Sequence, residues 1–359
     1  MMPERVVVDA TADGHIHLRE GAVMGPLIRH AVLGGADMLG AQPNTEKGLS
    51  VAAQVLDYKH MAETVEIGGL PLLAPMLIQA RPTILPFLMI TEETTTEVID
   101  ECVELGIFHA KIYPRDRTTK SEKGVVRYSR LVPQIRHCGK VGMWPHWHPE
   151  HPNMTFINRD AEFAFLPIIQ MFLEETEAKI VWEHGTDSRC IPFWEQWAKT
   201  GRFFVTLTGH HLATNEDDTF GDVRATCKPP IKTEQDRRAL VDLVGKDYPW
   251  VMAGSDAAFH PKGAKHVMVG KCACGDFTYP FVLPLYAHAL DSLFQTPEGI
   301  EVFQNFTSRN ARRNFDLPPA SRLVSLSRSP WKIPLEYQVG PEVAMPFWAG
   351  QVLNWKTIE

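Results

Sequence analysis

Short apolar, β-rich runs recur along the chain, and amphipathic stretches separate them. The runs cover Val6–His17, Ala36–Pro43, Gly69–Leu77, Gly106–Tyr113, Lys140–Trp147, Ala178–His184, Phe203–His210 and Trp250–Ser255. Between them, apolar residues fall near i, i+3, i+4 spacing in Ser50–Glu63, Thr94–Leu105, Arg159–Glu175 and Glu234–Val244, which predicts helices with one apolar face. Eight strand–helix units within about 300 residues predict an α/β fold of the (β/α)8 TIM-barrel type. A doubly wound open sheet is the rival, but no glycine-rich phosphate loop follows the first strand. After Asn314 the alternation gives way to LPPASRLVSLSRSP and a proline-rich tail. We read residues 1–315 as the barrel and 316–359 as an extension of the same domain packed outside it.

Composition narrows the partners. Lys+Arg 36 against Asp+Glu 43 gives a net charge of −7, and no basic run is present, so nucleic acid is not an expected partner. Six cysteines scattered through 359 residues do not form a disulfide framework. The opening MMPERVVVDA lacks a basic stretch followed by an apolar core, which argues against a secretory signal. The longest apolar stretches, Phe163–Leu173 and Tyr279–Leu290, are too short to span a membrane. The expectation is a soluble cytoplasmic protein, a homodimer acting on a small molecule.

Histidine changes the picture: there are 15, many in strand-like segments. The first strand ends in Asp13-Gly14-His15-Ile16-His17, and alternate strand residues share a face, so His15 and His17 point into one space as half of a metal site. Lys111 lies in an apolar run at the end of the fourth strand, His146 ends the fifth, His184 the sixth, and Asp256 the eighth. Barrel enzymes place catalytic residues at the C-terminal ends of strands. Any one of these could be an ordinary strand-end polar residue; six at one height of a barrel point to a metal site. Four histidines, an aspartate and a lysine exceed one tetrahedral zinc, so two metals sharing ligands fit better. A protonated Lys111 would repel them, whereas its carbamate, formed from carbon dioxide, could bridge both. Asp256 could ligate and also act as general base toward a bridging hydroxide. Such machinery suits an amide-like carbonyl.

At these residues the chain resembles the amidohydrolase superfamily and, within it, the single-domain bacterial dihydroorotases. The resemblance rests on DGHIHLREG (13–21), QPNT (42–45), FHAKIYPRDRTT (108–119), PHW (145–147), KIVWEHGT (179–186), TGHHLATNEDD (208–218), CKPPIK (227–232), GSDAAFHP (254–261), CACGDF (272–277) and MPFWAGQVLNW (345–355). H-x-H alone points only to the superfamily; H-x-H-L-R, Lys-Ile-Tyr-Pro with its Thr-Thr, and Pro-Phe-x-Ala-Gly narrow it. The resemblance implies zinc-dependent, reversible hydrolysis of dihydroorotate to N-carbamoyl-L-aspartate, in pyrimidine biosynthesis. It implies two Zn2+ per subunit, one held by His15, His17, Lys111 and Asp256 and the other by Lys111, His146 and His184, bridged by carboxylated Lys111 and a hydroxide. It further implies Arg19 and Asn44 as the carboxylate contacts, with His260 beside them, and Thr118 and Thr119 as a lid. Backbone near Cys227 and Gly275 would meet the ring amides.

Two departures stand out: the segment after His260 is longer than the family pattern, and Trp147-His148 follows His146 where the family has Gly-Glu. A hydantoin- or allantoin-type hydrolase is the enzymatic alternative, but a neutral ring would leave Arg19 and Asn44 without an anion. A catalytically dead assembly scaffold should have lost ligands, and all six are present. His148 and His151, in a Pro- and Asn-rich loop, are expected to face solvent. His210-His211 should pack or hydrogen-bond, Cys272-x-Cys274 lacks a second pair for a zinc site, and Arg115–Lys123 reads as a solvated charged loop by composition.

Overall fold

The computed structural model describes residues 3–68, 81–154, 159–266 and 272–358. A strand β1 (Arg5–Asp9) precedes a ring of parallel strands: β2 (Thr11–His17), β3 (Ala36–Ala41), β4 (Thr83–Ile90), β5 (His109–Ile112), β6 (Trp144–Trp147), β7 (Ile180–Trp182), β8 (Phe203–Leu207) and β9 (Val251–Ala253). The two-residue β10 (Ala257–Ala258) continues past β9 and pairs with β2, placing Ala258 opposite His17 and closing the barrel. Asp13 reinforces the closure: its carboxylate accepts from the Ser255 amide at 2.8 Å and from the Ser255 hydroxyl at 2.6 Å. Helices α1 (Met24–Leu33), α2 (Ala52–Thr64), α3 (Thr96–Glu104), α4 (Val132–Val141), α5 (Leu166–Glu175) and α6 (Ile191–Ala198) follow β2 to β7 in turn, and α7 (Gly209–Ala213) and α8 (Glu234–Gly245) both lie between β8 and β9. Large aromatics such as Trp147, Trp182 and Trp194 are fully buried. The (β/α)8 barrel is the fold.

The boundaries correct several expectations. Val6–His17 is two strands in two sheets. β2 is buried at every position, as a barrel strand must be, whereas β1 alternates, with Val7 51% exposed between buried Val6 and Val8. Gly69–Leu77 lies outside the described residues; the third barrel strand is β4, whose Pro86 is a residue that argues against a central strand. Lys140 belongs to α4, which stops at Gly142 in the left-handed region (φ 79°), so the fifth barrel strand starts only at Trp144. The seventh ends at Leu207 because the Thr208 hydroxyl accepts from the His211 amide and caps α7.

Beyond the barrel come α9 (Lys262–Lys265), α10 (Val282–Ala289), α11 (Pro297–Gln304) and α12 (Asn310–Asn314), then β11 (Leu323–Lys332), a hairpin of β12 (Tyr337–Val339) and β13 (Glu342–Ala344), and β14 (Val352–Ile358). The tail packs outside the barrel sheet as expected, and it recruits the amino terminus: β1, β11 and β14 form one antiparallel sheet. Trp355 anchors that sheet, fully buried against Phe294 with ring centroids 4.5 Å apart.

Candidate active site

The predicted ligands converge at the C-terminal mouth of the barrel. His15 and His17 leave β2 on one face, their ring centroids 5.3 Å apart, and Asp256 enters from the bend between β9 and β10. The Asp256 Oδ1 atom lies 2.9 Å from His17 Nε2 and 3.1 Å from His15 Nε2. Lys111 in β5 pairs with His146 in β6 across the ladder, and the His184 ring sits 5.2 Å from that of His15. All six side chains are buried. Backbone strain marks the site, since Arg19, His184 and Asp256 take left-handed φ values of 56°, 42° and 49°.

The hydrogen bonding calls for a cation. Asn44 Nδ2 donates to Thr119 O at 3.0 Å, which leaves Asn44 Oδ1 to accept from His17 Nδ1 at 2.7 Å. That proton on Nδ1 gives His17 Nε2 a bare lone pair, aimed at a carboxylate oxygen. Burial pushes the His17 imidazole down to about 4, so a second proton does not resolve the clash near neutral pH. Two facing acceptors are what a metal ion reconciles. His15 repeats the pattern, since among the described residues neither of its nitrogens has an aligned hydrogen bond, and His184 Nδ1 is likewise unsatisfied. The donor atoms of His15, His17 and Asp256 lie within 4.8 Å of one another, as do those of His15, Glu183 and His184. The residues fit the metal centre.

Glu183 is a member of this cluster that sequence reasoning did not single out. Its buried carboxylate meets Lys111 Nζ, lies 3.1 Å from His15 Nδ1, and accepts from His146 Nδ1 at 3.0 Å. A charged residue just before His184 at the end of a barrel strand was the available signal. Burial holds the Lys111 amine well below its ordinary range, which favours its neutral, nucleophilic form. His109, also missed, supports His146 from behind, with His109 Nδ1 and His146 Nε2 3.1 Å apart.

The expected substrate contacts gather beside these ligands. Arg19, Asn44, Thr118, Thr119 and Gly275 line one pocket with His17 and Asp256. His260 stands behind Arg19, its Nε2 3.3 Å from an Arg19 nitrogen and 2.8 Å from Cys274 O. Arg19 lies beyond the strand: β2 stops at His17, and the left-handed turn lets the guanidinium donate to Phe259 O at 3.0 Å. Gly275 has φ 142°, and a Cβ there would lie 2.5 Å from the Ala258 Cβ, so glycine keeps the pocket open. Thr119 ties the Arg115–Lys123 loop over the pocket through Asn44 and through Cys274 O at 3.3 Å. That loop is not uniformly solvated: Arg117 is buried and donates to Glu150 at 3.3 Å.

His148 also departs from expectation. It is buried, not solvent-facing, with its ring 4.6 Å from that of His184 and its Nε2 2.7 Å from Glu150. Glu150 gathers His148, Arg117 and the pocket-lining Lys228, whose Nζ lies 2.6 Å away. His148 thus belongs to a buried ionic cluster beside the pocket, while Trp147 packs in the core against Phe172, with ring centroids 4.7 Å apart.

No family model matches the chain. Among curated proteins, a probable dihydroorotase of Schizosaccharomyces pombe is 30% identical over 358 residues, covering 97% of this chain and 97% of its own length. The chain belongs to the dihydroorotase family. A dihydroorotase of Ralstonia pickettii is 27% identical over 365 residues, covering 99% of this chain and all of that relative. Among solved structures, dihydroorotase from Saccharomyces cerevisiae in complex with 5-fluoroorotic acid matches with a TM-score of 0.88 at 25% identity, over 99% of each chain. An L-hydantoinase from Arthrobacter aurescens, at 13% identity and a TM-score of 0.79, shares the fold. This dihydroorotase-family chain is a hydrolase, and its family implies a metal cofactor that the clustered His, Asp and Glu donors fit.

Proposed function

We propose that the chain reversibly hydrolyses the ring amide of (S)-dihydroorotate to N-carbamoyl-L-aspartate, with two zinc ions and a carboxylated Lys111. His15, His17, Lys111 and Asp256 would hold one ion, and Lys111, His146 and His184 the other. When bound, the metal pair supplies Lewis acidity toward the ring carbonyl and makes the attacking water acidic near neutral pH. The observation that carries the reading is one pocket lined both by the donors His17 and Asp256 and by Arg19 and Asn44. The Arg19 fork suits a planar carboxylate held in two parallel hydrogen bonds. Holding the carboxylate there orients the ring, while the Thr118–Thr119 segment excludes water. Asp256 takes the proton of the attacking water and delivers it to the departing ring nitrogen; in ring closure the same carboxyl reverses the transfer. Six free cysteines support a reducing, cytoplasmic setting, and among the described residues no helix is long and apolar enough to cross a membrane.

Comparing charged and uncharged rings tests the substrate class. Arg19→Met should cost about 2–5 kcal/mol in kcat/KM for dihydroorotate, as when one partner of a buried charge pair is truncated. Metal content should stay unchanged, and the poor turnover of a ring lacking the carboxylate should hardly respond. Equal losses on both rings would make Arg19 structural and reopen the hydantoin-type activity.

A further inference from the structure

Directly behind the pocket wall lies a second cluster of metal-binding side chains that the proposed reaction does not use. His210 and His211 come from α7, Cys227 from the segment after a short turn at Val223–Ala225, and Asp276 from the loop after β10. All four are buried, with exposures of 0%, 3%, 4% and 0%. We propose that His210, His211, Cys227 and Asp276 form a separate tetrahedral site for a divalent transition metal, zinc first among them.

Geometry supports this directly. The donor atoms of His210, His211 and Cys227 lie within 4.8 Å of one another. His211 Nε2 is 3.7 Å from Cys227 Sγ, and His210 Nε2 is 3.9 Å from Asp276 Oδ2. Zinc bonded to nitrogen and oxygen at about 2.0–2.1 Å and to sulfur at about 2.3 Å sets tetrahedral edges of about 3.3–3.6 Å. The His211–Cys227 and His210–Asp276 pairs need only a slight contraction to meet those edges, whereas Asp276 lies beyond 4.8 Å of at least one other donor and must swing toward the cluster.

Unsatisfied polarity supports it independently. Neither nitrogen of His210 and neither carboxylate oxygen of Asp276 has a hydrogen-bond partner among the described residues. Buried polar atoms left unpaired are costly and rare, and here four of them belong to two side chains facing each other. His211 is already oriented like a ligand: its Nδ1 lies 2.7 Å from Thr208 Oγ1, which leaves Nε2 toward the cluster. The ion would replace the contacts of His211 Nε2 and Cys227 Sγ with Pro229 O, now 3.0 and 3.2 Å, and Cys227 would release its thiol proton. The resulting thiolate and the carboxylate cancel the two charges of the ion. The buried Lys265, which donates to Thr226 O at 3.1 Å, then meets no net cation.

The position gives the ion a role. Cys227 and Asp276 immediately adjoin Lys228 and Gly275, which line the substrate pocket, and the Gly275 amide donates to Thr226 O at 2.8 Å. A metal here would clamp together the two segments that build that wall.

Sulfur provides the test, because the six ligands of the catalytic cluster offer only nitrogen and oxygen. X-ray absorption on chain loaded to saturation with zinc should show a metal–sulfur shell near about 2.3 Å, worth one sulfur per chain. Cys227→Ser should remove that shell and one metal equivalent, while Lys111→Ala should deplete the catalytic cluster and retain the sulfur-bound ion. Absence of a sulfur shell in the saturated wild type would overturn the proposal, whether or not the variants fold. So would a shell that persists in Cys227→Ser, which would place the ion on Cys272 or Cys274. Neither outcome depends on turnover of dihydroorotate.

Discussion

Lys111 stands fully buried among His15, His146 and Glu183, where an ammonium is costly unless paired. With Glu183 as its partner the lysine is a cation in a metal site; as a carbamate it becomes a ligand. Lys111→Ala should therefore lose most of the bound metal and the activity together, with partial rescue of both by short carboxylic acids. Full metal occupancy and near-normal turnover in that variant would exclude the bridge. Asp256 has a different signature. Asp256→Asn should lower kcat by about 10²–10⁴-fold, the range for removing a positioned general base, with a smaller change in substrate affinity. Rapid single-turnover kinetics separate the two, and wild-type turnover would dismiss Asp256 as the base. At this scale the histidines were legible because strand parity alone puts His15 and His17 on one face. Glu183 was not, because a carboxylate next to a ligand histidine looks like any strand-end acid until the fold surrounds it with a lysine and two imidazoles.

Individual elements carry their own tests. Helix α8 begins at Thr233 with a capping box: the Thr233 hydroxyl accepts from the Asp236 amide, and the Asp236 carboxylate accepts from the Thr233 amide. Thr233→Ala should cost about 1 kcal/mol in urea unfolding while leaving metal content untouched. The loop after β6 is pH-sensitive through Glu150. Burial would raise its carboxyl, but His148, Lys228 and Arg117 bring it down from 4.5 to about 2. Its charged form is thus favoured in the folded state, so its contribution is complete above pH 4.5 and is lost as the pH falls toward 2. Between pH 5 and pH 3 the wild type should lose roughly 2 kcal/mol of stability that Glu150→Gln does not. Parallel slopes for the two proteins would show that Glu150 is not a depressed acid. Strand identity was harder to read. β4 hides a proline in its middle, and Val6–His17 looks continuous although Thr11 onward is buried on both faces and Val7 is not. Apolar run length marks a barrel strand; only pairing shows which sheet it joins.

The whole molecule joins its two terminal segments in one sheet outside the barrel. β1 pairs with β11, the tail strand β14 covers β11, and α12 leads from the barrel into that sheet. Across the barrel, Asp13 and the β10–β2 pairing lock the first and last strands together, and the proposed ligands His15, His17 and Asp256 flank that seam. Seven of the eight apolar runs overlie barrel strands, and that rhythm made the barrel legible although β4 was not among them, since repeated units of strand and helix have few ways to cover both faces of a parallel sheet. The ionic cluster of Glu150, the Asp13 seam and the buried face of the Arg115–Lys123 loop were not legible, because each joins residues far apart in sequence. The central claim is that these parts make a metal-dependent hydrolase of an anionic cyclic amide. It is tested most directly by measuring interconversion of dihydroorotate and N-carbamoyl-L-aspartate before chelation, after chelation, and after zinc is restored. The account predicts turnover in both directions that vanishes with the metal and returns with about two zinc ions per chain at the catalytic cluster. Undiminished turnover by fully chelated protein, or none by the zinc-loaded chain, would contradict it.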